Sequence, residues 1–97
     1  MRVVSRKKLR LFWDDHPDAE PPVRAWFREA SLAAWTGPAD IKQSYASASF
    51  VAGDRVIFNV KGNSYRLIVA IKYRSGIVFI RFVGTHAEYH RVDAAKV

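Results

Sequence analysis

The sequence predicts an α+β fold, with N-terminal helices packed on one face of an antiparallel β-meander and a short C-terminal helix closing the chain. Three observations carry that expectation. Apolar residues recur at helical spacing in the first half and alternate with polar ones in the second. Two glycine-containing turns, Gly62-Asn63 and Ser75-Gly76, divide the second half into hairpins. A helix-start motif, Thr85-His86-Ala87-Glu88, follows the last alternating run.

Taken in order, Arg2-Val3-Val4 is strand-like, and Ser5 stands where it would cap a helix beginning at Arg6. Leu9, Phe12 and Trp13 fall at i, i+3 and i+4, opposite a basic stripe, and His16-Pro17 ends the helix. A second helix is expected from about Pro21-Pro22, burying Val23, Trp26, Phe27 and Ala30 and stopping at Gly37-Pro38. Trp13, Trp26 and Trp35 are assigned to the core because they lie on helical stripes. A turn around Ala39–Lys42 leads into Tyr45–Val51, which carries no clear pattern. Arg55–Val60, Tyr65–Tyr73 and Ile77–Val83 are the strands, rich in Val, Ile, Phe and Tyr.

Residues 1–97 are expected to form one domain, since two cores would each be too small. With no cysteine, disulfides, thiolate metal sites and a cysteine nucleophile are excluded. No apolar run approaches a bilayer span, and the start of the chain lacks the charged-then-apolar order of a signal peptide, so the expected location is the cytoplasm. The formal charge of +7 is unevenly distributed. Up to Asp54 there are eight Lys or Arg against seven acids; from Arg55 onward there are eight against Glu88 and Asp93 alone. A basic half joined to a neutral half points to a polyanionic ligand.

The turns also predict register. Two-residue loops would set Asn59 opposite Arg66 and Ala70 opposite Arg81. One face then carries Arg55, Asn59, Arg66, Ala70, Lys72, Arg74 and Arg81. The other carries Val56, Phe58, Val60, Leu67, Val69, Ile71, Val78, Ile80 and Phe82 as a core face. A bulge or a one-residue slip would separate the cations. The capping motif sets His86 at the first helical position, beside the end of the strand carrying Arg81. There a bound phosphate is favoured by the helix dipole. Glu88 is assigned to capping.

The runs Val56–Ile68 and Ile80–Tyr89 together resemble the signature of the HigB family of toxins. Phe12-Trp13, His16–Glu20, Ala25-Trp26 and Pro38–Lys42 are similar to that family as well, so the likeness covers nearly the whole chain. His90 departs from it, since relatives often have an acidic residue after the Glu-Tyr pair. The resemblance implies a RelE-like fold and endoribonuclease activity on mRNA, commonly ribosome-bound. It also implies a HigA-type helix-turn-helix antitoxin, with operator DNA contacted only through that partner.

The chemistry expected is attack of the RNA 2′-hydroxyl on the adjacent phosphate, with no metal and no cofactor. His86 would be general acid or base, Arg66 and Arg81 would hold the scissile phosphate, and Tyr89 would stack on a base or assist proton transfer. Lys61, Lys72 and Arg74 would bind the RNA backbone, with Asn59 and Asn63 as hydrogen-bonding groups. The competing reading is a non-catalytic RNA- or ribosome-binding module using the same basic face. A DNA-binding protein fits less well, because nothing resembles a recognition helix.

Overall fold

A computed structural model describes residues 1–97. The elements run β1 (Arg2–Val4), α1 (Arg6–Asp15), a 3-10 turn (Pro17–Ala19), α2 (Glu20–Leu32), α3 (Pro38–Ser44) and β2 (Ser49–Val51). They continue with β3 (Arg55–Val60), β4 (Tyr65–Lys72), β5 (Ile77–Thr85) and α4 (His86–Tyr89). The α+β class is as the sequence predicts. The meander β3-β4-β5 is widened at both edges into a five-stranded mixed sheet of order β1-β5-β4-β3-β2, with β1 parallel to β5. No helix is long and apolar enough to cross a membrane.

The helices lie on one face. Leu9, Phe12 and Trp13 of α1, Val23, Trp26 and Ala30 of α2 and Ile41 of α3 form one buried cluster with the sheet. The sheet contributes Val56, Phe58, Val60, Leu67, Val69, Ile71, Val78 and Ile80, all of which the alternation assigns to the core. Phe58 is its aromatic hub. Trp26 meets it edge-on at 5.3 Å, Tyr45 at 5.1 Å, and Trp35 stacks on it at 6.2 Å between centroids.

Several local expectations are corrected. Ser5 does not cap α1 through its side chain; the reversal from β1 into α1 holds it at φ 77° instead. α2 ends at Leu32, and Ala33 is extended, so Trp35 reaches the core from a connection and not from a helix. The predicted turn at Ala39–Lys42 is the helix α3, and Tyr45–Val51 ends in the edge strand β2. Thr85 extends β5 beyond Val83.

Register is where the structure differs most. β3 and β4 pair as expected, with Asn59 opposite Arg66. The β4–β5 connection is four residues, Tyr73–Gly76, so Lys72 pairs with Ile77 and Ala70 with Phe79. That two-residue shift preserves faces. A bulge then breaks parity: Val69 pairs with Ile80 but Ile68 pairs with Phe82, leaving Arg81 as the extra residue. Phe82 therefore leaves the core face and covers Gly84, where a Cβ would lie 2.5 Å from its Cζ.

The second face is not the open basic patch expected. Ile57, Ile68 and Ala70 are buried on it, outside the helix-side cluster. The chain from α4 to Val97 returns across this face, and Arg55 Nη2 donates to the Val97 carbonyl at 2.8 Å. Truncation of the aromatic hub, Phe58→Ala, is expected to lower unfolding free energy by about 3–5 kcal/mol, measured by urea denaturation.

Candidate functional site

Functional side chains gather where β4 begins and β5 ends, at the Tyr65–Thr85 pair. The capping box forms as predicted: Thr85 Oγ1 accepts from the Glu88 amide at 3.2 Å, and Glu88 Oε1 accepts from the Thr85 amide at 2.8 Å. The Thr85 backbone bond is the main reason the Glu88 carboxyl is held below its ordinary range. His86 follows at the first helical position, and its amide donates to the Ser64 carbonyl at 3.1 Å, tying α4 to the β3–β4 turn.

One turn of helix then carries His90 back onto His86. Their Nε2 atoms are 2.7 Å apart, so one ring donates a proton to the other. Tyr89, between them in sequence, lies over the Arg66 guanidinium, 5.7 Å from its ring centroid.

Arg66 is the only charged residue among the buried ones, at 8% exposure, because β4 is the central strand. Its Nη1 donates to the carbonyls of Asn63 and Tyr65, each at 3.2 Å. No carboxylate pairs with it. The guanidinium is thus held by two neutral acceptors and one ring face, its charge uncompensated, and its Nε and Nη2 make no hydrogen bond within the protein. A bidentate anion uses such an edge.

The turn after α1 supplies the flank. Asp18 accepts from Lys61 Nζ and from the Tyr65 hydroxyl, both at 2.6 Å. The Lys61 bond, followed by the Tyr65 bond, lowers the Asp18 carboxyl, while Asp18 raises the Tyr65 phenol. His16 stacks on Phe12 at 4.5 Å and lies 5.6 Å from Tyr65 between ring centroids.

Of the sequence-predicted residues, Arg66 and Tyr89 are in contact here and His86 begins α4 at the end of β5, with Asn59 paired to Arg66 across the strands and Lys61 and Asn63 in the adjoining turn. Arg81 does not join them. As the bulge residue it lies three positions before Gly84, the Arg66 partner, about 10 Å along the strand, with its guanidinium over Phe79. Lys72 is six positions from Arg66, about 20 Å away, and is paired to Asp54 at 3.0 Å; Arg74 is in the turn beyond. His90 stands in the sequence reading only as a departure from the family, outside the expected site, and His16, Asp18 and Tyr65 are given no role there. Only His90 had a local signal, its i+4 spacing from His86.

Helices on one face of a small five-stranded mixed sheet, with a short C-terminal helix, make an α+β fold consistent with the RelE-like class. A family model described as HigB toxin, RelE-like toxic component of a toxin–antitoxin system, matches residues 19–92. The chain belongs to this HigB toxin family, and its activity is in general that of a ribonuclease with an antitoxin partner. No curated protein matches it.

Because the folded Asp18 carboxyl sits below its ordinary value of 3.8, its contribution to stability is present above that value and is lost as pH falls through the lowered one. Urea midpoints of the wild type and Asp18→Asn should therefore differ at neutral pH and converge on acidification below 3.8.

Proposed function

We propose that the protein is an endoribonuclease toxin that cleaves mRNA engaged on the ribosome, by attack of a 2′-hydroxyl on the adjacent phosphate. The observation that carries this reading is Arg66, a nearly buried guanidinium with no anion beside it and one donor edge free. An uncompensated buried charge is costly, and a phosphate offered to that edge removes the cost where negative charge develops in the reaction.

The His86–His90 pair supplies both proton transfers. In its singly charged state one ring is imidazolium and the other keeps an Nε2 lone pair. When substrate opens the bond between them, the neutral ring takes the 2′-hydroxyl proton. The 2′-oxygen bonds to phosphorus, the bond to the 5′-oxygen breaks, and the charged ring protonates that leaving oxygen. The pair ends singly charged with the roles of its rings exchanged. Products are a 2′,3′-cyclic phosphate and a 5′-hydroxyl. Tyr89 stacks on a base beside the scissile bond, and Asn59, Lys61 and Asn63 bind the flanking backbone. No metal or cofactor takes part. The antitoxin is of HigA helix-turn-helix type, and operator DNA is bound only through it.

His86→Ala and Arg66→Ala are expected to lower cleavage by roughly 10²–10³-fold and to relieve growth arrest, with folding checked by circular dichroism. Arg66→Lys keeps the charge but loses the fork, and is expected to fold and remain impaired. Full toxicity in folded His86→Ala and Arg66→Lys would remove the proposed site. Cleavage is expected to persist in EDTA and to leave cyclic phosphate ends; a strict magnesium requirement would refute the chemistry. Transcript mapping after induction should reveal new 5′ ends within coding regions. Arrest of translation without them would instead identify a non-cleaving RNA binder.

A further inference from the structure

The helix-side core leaves one seam open. α1 turns Leu9, Phe12 and Trp13 toward the sheet, yet Leu11 on its flank is 53% exposed. Opposite it, β1 pairs only with Ile77–Phe79, so the outer edge of β5 from Ile80 to Thr85 has no strand beside it. Between them runs a groove of about 380 Å³, with Lys8, Leu11 and Asp15 on the helix side and Arg81 and Phe82 on the strand side.

Its chemistry is mixed in a specific way. Lys8 and Arg81 form no ion pair within the chain, nor do Arg6, Lys7 and Arg10 along the same helix. The first turn of α1 holds no acid, so Arg6, Lys7 and Lys8 sit where a helix dipole disfavours them. On the rim of the groove Lys8 and Arg81 outnumber Asp15, around a floor of Leu11, Phe12, Phe82 and Val83. A free strand edge accepts an added strand through backbone bonds, with alternate side chains seated in adjoining pockets. RNA would neutralise the cations but would leave the backbone edge and Leu11 without matching partners.

We infer that this groove receives the antitoxin, as an extended acidic segment that adds to the outer edge of β5. One of its apolar side chains seats between Leu11 and Phe82, and its carboxylates meet Lys8 and Arg81. The inference rests on membership of a toxin–antitoxin family and not on the nuclease reading.

The test uses the full chain and the antitoxin co-expressed with it, with affinity measured by calorimetry. Leu11→Asp and Lys8→Glu change exposed residues, and both variants are expected to fold. Each should weaken antitoxin binding, Leu11→Asp by at least about 30-fold, the size of a central contact residue. Leu32→Asp, at a 79% exposed position at the end of α2, is the control and should bind as wild type. Hydrogen exchange at Ile80–Thr85 should slow in the complex. Wild-type affinity in both groove variants would overturn the inference. Unchanged antitoxin affinity with lost RNA cleavage would also overturn it, assigning the groove to RNA. Because the readout is binding, a chain without ribonuclease activity still gives a decisive result.

Discussion

The arrangement depends on covering β4 from both sides. Seven of its eight residues are buried, the helices lying on one face and the segment from α4 to Val97 on the other. A central strand so enclosed has no exposed face, and Arg66 must therefore lie inside. Removing a guanidinium from water costs several kcal/mol when no anion accompanies it. Two carbonyls and the Tyr89 ring offset part of that cost, and none of them carries a full negative charge. The burial that stabilises the sheet is thus what makes Arg66 receptive to an anion.

The bulge at Arg81 has the opposite effect on the second arginine. One extra residue in β5 takes Arg81 out of line with Arg66, turns Phe82 away from the helix-side core and lays its ring against Gly84. It also leaves Arg81 on the α1 side of the strand, where it lines the open seam with Lys8 and Leu11. The two arginines consequently serve different surfaces, one at the strand end and one in the groove.

Position of the histidine pair is a matter of short-range bonds. α4 has four residues, too few to be stable as an isolated helix. The reciprocal Thr85–Glu88 bonds and the His86 amide bonded to Ser64 fix its start, and the Tyr89 ring packs on Arg66. One further turn brings His90 onto His86, and Tyr89 is directed to Arg66. A helix pinned at its first residue by the neighbouring hairpin keeps both imidazoles beside the strand end that carries the arginine.

By itself the sequence determined whatever depends on near neighbours along the chain. The alternation placed eight sheet residues in the core, the glycine turns set the β3–β4 register, and Thr85-His86-Ala87-Glu88 announced a capped helix start. Only the tertiary structure decided the rest. A bulge has no composition of its own, so the displacement of Arg81 was invisible. The approach of Val97 to Arg55, the contact of Tyr89 with Arg66 and the meeting of Asp18 with Lys61 and Tyr65 join residues far apart in sequence. Such contacts arise because a two-sided sheet must cover its second apolar face with whatever chain remains, and no local pattern records which segment that is.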